Sequence, residues 1–195
     1  MLNEWLLALA EYFAAQPWSI ALHESIYLYA WVETTHVLTL VLFLGMLAII
    51  DLRMLGWAFT GLSATSMAER LNRPMLVGFA VMVVTGFTLY YAIPIRTTQS
   101  IWFRIKVVLL IAAGINAWLF HRALRNAGAT WNDRTQAPQR LRAGAGVSLL
   151  VWSGVVFTGR AIAYDWFDCH KPLSGWMFWA AGCVQELAAS ETASH

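Results

Sequence analysis

Four long apolar segments constrain the fold of this chain more than any other feature of its sequence. About 20 helical residues cross a hydrocarbon core about 30 Å thick, and four segments reach that length. They cover residues 25–50, 75–93, 101–120 and 145–164. Because hydrocarbon offers no partner to unpaired backbone groups, each segment is expected to be an α-helix. The sequence therefore predicts an all-α integral membrane protein, a four-transmembrane-helix bundle.

Shorter amphipathic stretches flank these segments. In residues 1–20, Trp5, Leu9 and Tyr12 recur at helical spacing, and residues 172–189 hold a second apolar stretch. Each predicts a helix that lies in the membrane interface, although the second could also dip part-way into the bilayer. Residues 1–195 are thus interpreted as a single membrane domain.

The charge of the chain supports a lipid environment and argues against nucleic acid. Only 12% of the residues are charged, whereas soluble domains carry about 25%. The net charge is +2, and the basic residues follow no continuous stripe of the kind that binds nucleic acid. The expected partner is the lipid bilayer.

The arginines predict the orientation of the four helices. Eight arginines lie in the loops after the first and third segments: Arg53, Arg70, Arg73, Arg122, Arg125, Arg134, Arg140 and Arg142. The loop after the second segment has only Arg96. By the positive-inside rule the two arginine-rich loops are cytoplasmic. Both termini are then periplasmic, in a bacterial inner membrane.

This orientation bears on the only two cysteines, Cys169 and Cys183. Both would face an oxidising compartment, in which disulfides persist. A disulfide between them is one interpretation, and two buried free thiols that pack as small hydrophobic groups are the other.

Ionisable residues inside membrane helices usually face the bundle interior and mark functional sites. Four such residues are expected in one layer near the outer surface: Glu33, His36, Lys106 and Arg160. At 1.5 Å per residue, His36 lies about 7 Å below Trp31, and Lys106 about 6 Å below Trp102. The layer could be a functional site, or a set of charges that only neutralise one another. Snorkelling of Arg104 and Lys106 to the headgroups is a further alternative.

Histidines suggest a metal site as another possibility. Glu33 and His36 form an E-x-x-H pair, but di-iron carboxylate bundles need two such motifs, and the sequence has one. A mononuclear site could instead use Glu33, His36 and an outer histidine, His23 or His170. Histidines without a metal are the simpler interpretation of His23 and His170.

Two motifs suggest a family. Residues 36–45 read H-V-L-T-L-V-L-F-L-G, and residues 102–106 read W-F-R-I-K. Together they resemble the membrane haem-type protoporphyrinogen oxidases and the copper-resistance CopD-like proteins, over roughly residues 25–125. Glu33, the arginine-rich third loop and the sequence G-R-A-I-A-Y-D-W from Gly159 look more like an uncharacterised bacterial membrane family of similar length.

The resemblance implies a b-type haem with His36 as an axial ligand. Lys106 would be a second ligand, or would contact a propionate or a substrate, and Arg160 would pair with a propionate. The favoured function is a small cytochrome b-like electron-transfer protein that exchanges electrons with a quinone or a periplasmic redox partner.

Three alternatives stay open, and no catalytic residue is assigned. One is a protoporphyrinogen-oxidase-like enzyme, a membrane oxidoreductase. Another is a copper-handling protein that uses Glu33, His36, His23 and His170. The third is a non-catalytic subunit of a homo-oligomer or larger membrane complex, in which small residues permit close helix contacts. Those residues are Gly78, Gly86, Gly144, Gly146 and Gly154.

Overall fold

A computed structural model describes residues 1–126, 137–164, 167, 169 and 171–183, without the side chain of Thr65. Within these ranges the chain forms helices and no strand. In chain order the helices are α1 (Leu2–Ala14), α2 (Pro17–Glu24), α3 (Ile26–Leu55), α4 (Ala64–Ala92), α5 (Pro94–Thr98), α6 (Ile101–Asn126), α7 (Gln139–Ile162) and α8 (Gly175–Ala181).

Four of these helices, α3, α4, α6 and α7, are long and apolar enough to cross a membrane. They coincide with the four apolar segments, so the predicted all-α membrane fold is confirmed. Large apolar side chains on them are exposed, among them Val84, Ile111 and Leu150. Such surfaces fit an environment of lipid chains, which are themselves apolar.

Two membrane helices begin earlier than the apolar segments predict. α4 begins at Ala64 rather than Met75 and continues through Pro74, which removes one backbone donor without ending the helix. α7 begins at Gln139 rather than Ala145. Its first turn contains Gln139, Arg140 and Arg142 beside Leu141, which is 1% exposed in the core. Hydropathy detects the part of a helix in lipid, whereas backbone hydrogen bonding continues beyond it.

The amino-terminal stretch forms two helices rather than one. α1 ends at Ala14 and α2 begins at Pro17. Proline lacks the N–H that a continuing helix would need, and it is favoured at the first helical position. In α1, Leu7 and Ala10 are buried while Trp5 is exposed, an arrangement that fits the predicted amphipathic character.

Two shorter helices also differ from prediction. α5 occupies part of the stretch expected to be a loop, and Pro94 is its first residue. α8 ends at Ala181 and is followed by Gly182 in the left-handed region, a common helix end. Residues 184–189 of the predicted carboxy-terminal helix lie outside the described residues, as do Arg134 and His170.

The chain divides into two compact units. The first contains residues 1–32, 87–108 and 156–195, and the second contains residues 33–86 and 109–155. The core of the second unit consists of six buried residues: Ile50, Met54, Ala64, Ala137, Leu141 and Ala145.

Arg53 also belongs to the second unit and lies inside it rather than in a loop. It is in the last turn of α3, is fully buried, and its Nε donates to the carbonyl of Leu62 at 2.7 Å. The arginine that the orientation rule counted as a loop charge therefore holds the connection between α3 and α4.

Glycines permit close helix contacts in the second unit. A Cβ on Gly78, Gly144 or Gly154 would lie within 4 Å of a side chain on a neighbouring helix, and at Gly154 it would meet Leu109 at 3.0 Å. Gly146 has nothing within that distance. Gly86, described below, also lies at a helix contact. Four of the five glycines expected at helix contacts are therefore found at such contacts.

Candidate functional site around His36

His36 lies on α3 of the second unit and faces α4. Its ring is half-buried, and its Nδ1 lies 2.9 Å from the Oγ1 of Thr85. Leucine, valine and phenylalanine dominate the following turns of α3, so this pair is a polar contact in a largely apolar stretch. An imidazole in such a place needs a hydrogen-bonding partner, and Thr85 supplies one.

The Thr85 hydroxyl sets the tautomer of the imidazole. Its single proton is directed to the helix backbone, since Oγ1 lies 2.7 Å from the carbonyl of Val81 and 3.3 Å from that of Met82. Thr85 Oγ1 is then an acceptor toward His36, so Nδ1 carries the hydrogen and donates it. In a neutral ring with hydrogen on Nδ1, the lone pair is on Nε2. His36 therefore has the protonation pattern of a histidine that coordinates a metal through Nε2.

Gly86 lies against the same ring. A Cβ at this position would be 3.2 Å from the Cε1 of His36 and 3.8 Å from its Nδ1. A larger residue would press on the imidazole, so the adjacent pair Thr85 and Gly86 supplies both a partner for the ring and the space beside it. Sequence reasoning missed the pairing, although Thr85–Gly86 is the only hydroxyl–glycine step in residues 75–93.

Glu33 shares α3 with His36 and belongs to the same unit, but its side chain is exposed. No ion pair within that unit engages its carboxylate, as far as the described residues extend. The E-x-x-H spacing therefore does not bring this carboxylate onto the imidazole.

Lys106 and Arg160 belong to the first unit. The half-buried Lys106 lies across α7, where a Cβ on Gly159 would be 3.4 Å from its Nζ. Arg160 is exposed and donates from Nη2 to the Tyr164 hydroxyl at 3.0 Å, with its Cζ 4.9 Å from the centre of that ring. The predicted layer of four residues thus draws on both units, and its convergence stays a prediction.

The outer histidines contribute no metal site in the described part of the chain. His23 is exposed on α2, and His170 is outside the described residues. No group of three or more His, Cys, Asp or Glu side chains that could hold a metal ion occurs among the described residues.

Cys169 and Cys183 form a disulfide, with Cα atoms 5.4 Å apart and a sequence separation of 14. This is the first of the two interpretations of the cysteines. The Sγ of Cys169 lies 3.6 Å from the carbonyl oxygen of Gln99. Because a disulfide sulfur carries no hydrogen, this is a packing contact, and it places Cys169 close to the start of α6.

Comparison with known proteins places the chain in a family without assigning it an activity. No curated protein matches it, and no solved structure matches it. A family model described as a family of unknown function, DUF6644, matches residues 22–165. That range contains all four membrane helices, His36 with its two neighbours on α4, and Lys106. The chain therefore belongs to the DUF6644 family.

Proposed function

We propose that this protein binds haem b through His36 and acts as a small cytochrome b-like electron-transfer protein. The observation that carries the proposal is the hydrogen bond between His36 Nδ1 and Thr85, because it leaves the lone pair on Nε2. Histidines that ligate metals almost always donate their other ring N–H in this way. Haem bound there would supply one-electron redox chemistry.

The protein's own residues would position that group. Thr85 fixes the ring orientation of His36, and Gly86, which has no side chain, lets α4 lie close to Cε1. The roles predicted for Lys106, as a second ligand or a propionate contact, and for Arg160, as a propionate contact, stay predictions because both residues belong to the first unit. A quinone or a periplasmic protein would exchange electrons with the site.

We place the protein in a bacterial inner membrane with both termini in the periplasm. The arginine-rich loops support that orientation through the positive-inside rule, and the disulfide between Cys169 and Cys183 fits an oxidising compartment. The copper, enzyme and assembly-subunit alternatives have no contact in the described residues that favours them over haem.

The absorption spectrum of the detergent-purified protein tests the proposal. We expect a Soret band that is retained through size-exclusion chromatography, and we expect His36→Ala to lose it. His121→Ala is the matched control, because His121 is an exposed histidine on α6 whose Nδ1 meets the carbonyl of Ala117. A wild-type protein that gains no Soret band on haem reconstitution would contradict the proposal, as would a His36→Ala protein with unchanged haem content.

A further inference from the structure

The start of α6 gathers buried polar groups for which the described residues supply no partner. Ser100, directly before the helix, is 2% exposed, and Gln99 before it is 4% exposed. Within the described part of the chain, neither the Oγ of Ser100 nor the Nε2 of Gln99 has a hydrogen-bond partner. Buried groups of this kind are nearly always paired in proteins, so both side chains are available to donate to a ligand.

Arg104 brings a positive charge to the same place. Side chains on a helix point toward its N-terminus, and the Nε of Arg104 reaches back to the carbonyl of Thr98 at 3.4 Å, before the helix begins. Its Nη1 donates to the Oδ1 of Asn3 at 2.9 Å. Its Nη2 is buried and finds no acceptor among the residues that the structure describes.

The backbone of α6 adds donors of its own. Arg104 is the first residue of the helix whose N–H reaches a carbonyl, that of Ser100. For the N–H groups of Ile101, Trp102 and Phe103, no backbone acceptor occurs within the described ranges. The N-terminus of a helix of 26 residues carries a partial positive charge and favours anions.

We propose that the start of α6 binds an oxyanion, a carboxylate or a phosphate, between Gln99, Ser100, the first-turn amides and Arg104. Each of these groups can donate a hydrogen bond, and the Arg104 guanidinium carries a positive charge. An oxyanion, which only accepts hydrogen bonds and is negatively charged, would satisfy them together. A cation is excluded by the guanidinium. The proposal concerns the first unit alone and does not depend on haem at His36.

Two described residues near the carboxy terminus, Cys169 and Gly182, lie against this site. Cys169 contacts the carbonyl of Gln99, and Gly182, with φ +82°, lies so close to the Arg104 guanidinium that a Cβ would overlap it. These two contacts border the proposed site. The disulfide joins Cys169 to Cys183, which follows Gly182, so binding is compared in oxidised and reduced protein.

Titration of the full-length, delipidated protein in neutral detergent tests the proposal. Inorganic phosphate and a short-chain phosphatidic acid are the two probes, each applied to oxidised and reduced protein, with binding measured by calorimetry. We expect saturable binding that weakens about tenfold in Ser100→Ala and in Arg104→Gln, which corresponds to about 1.4 kcal/mol. Arg125→Gln, an exposed arginine at the other end of α6, should bind like the wild type.

The two probes identify the source of the anion. Comparable affinities for both would indicate a small free oxyanion, whereas a much higher affinity for phosphatidic acid would indicate a lipid headgroup. If neither probe binds saturably to oxidised or reduced protein, the proposal is wrong. It is equally wrong if Ser100→Ala, which preserves the Arg104 contacts, binds both probes as the wild type does.

Discussion

At the scale of single residues, one hydroxyl decides what His36 can do. An imidazole has two nitrogens, and the partner of one fixes the role of the other. Thr85 accepts from Nδ1 because its own proton is directed to the carbonyl of Val81. The position of His36 in an apolar helix could be read from the sequence, but its tautomer depends on a contact with a second helix.

Thr85→Val tests this contact without removing the proposed ligand. Valine is similar in shape but offers no acceptor, so the ring of His36 loses its orientation. We expect haem affinity to fall by about tenfold or more, as for other residues that support a ligand. Titration of the purified apoprotein with haem measures it, and Thr85→Ser, which keeps the hydroxyl, should bind nearly as the wild type. Equal affinities for all three proteins would remove Thr85 from the site.

Gly86→Ala tests the space beside the ring. The new Cβ would lie 3.2 Å from the Cε1 of His36, and overpacking of this kind destabilises proteins by about 1–3 kcal/mol. Gly146→Ala is the control, because nothing lies within 4 Å of its Cβ and alanine favours a helix by about 1 kcal/mol. Alanine gains this helix preference at both positions, so Gly86→Ala should be less stable than Gly146→Ala by about 1–3 kcal/mol, and unfolding in mixed micelles measures that difference. Equal stabilities would mean that the ring moves aside without cost.

At the scale of helices, apolar length predicts that a helix crosses the membrane but not where it ends. The beginning of α7 is the clearest case. Residues 139–144 include a glutamine and two arginines, yet they are helical and carry Leu141 into the core of the second unit. Mean hydropathy does not detect this turn because Leu141 is the only buried side chain in residues 139–144.

Leu141→Ala measures the contribution of that turn. Leu141 is 1% exposed, and truncating a fully buried leucine leaves a cavity that costs about 2–5 kcal/mol. Leu150→Ala, on the same helix and 76% exposed, should change the free energy of unfolding by about 0.5 kcal/mol or less. Reversible unfolding in mixed micelles gives both values. A similar loss in the two variants would show that Leu141 does not pack in the core.

At the scale of the whole molecule, arginine placement predicts how the chain is oriented. Eight arginines lie in the connections between the first and second and between the third and fourth apolar segments. One of them, Arg53, is buried in the structure. Seven of the original eight still support a cytoplasmic location for those two connections. The predicted orientation therefore does not depend on Arg53.

Labelling of single introduced cysteines in intact bacterial cells tests the orientation. Ala15→Cys, between α1 and α2, should react with a membrane-impermeant maleimide, whereas Gly61→Cys, between α3 and α4, should react only after the membrane is disrupted. Both positions are exposed, and the native cysteines are held in the disulfide. The reverse pattern would place the termini in the cytoplasm.

The sequence by itself determined the features that depend on composition along the chain. Four apolar segments of sufficient length, with no water to pair their backbone, leave the helix as the open solution. The same reasoning singled out His36 as a polar group in lipid and Cys169 with Cys183 as a possible disulfide. These inferences need only the residue types and their positions along the chain.

Tertiary structure decided the features that depend on which helix faces which. It placed Thr85 and Gly86 against His36, Gly159 against Lys106, and Asn3 against Arg104. Helical periodicity gives the angle of a side chain around its own axis but not the neighbour at that angle. The four apolar segments therefore predicted a helical membrane protein, while the partners of its polar side chains were set by helix packing.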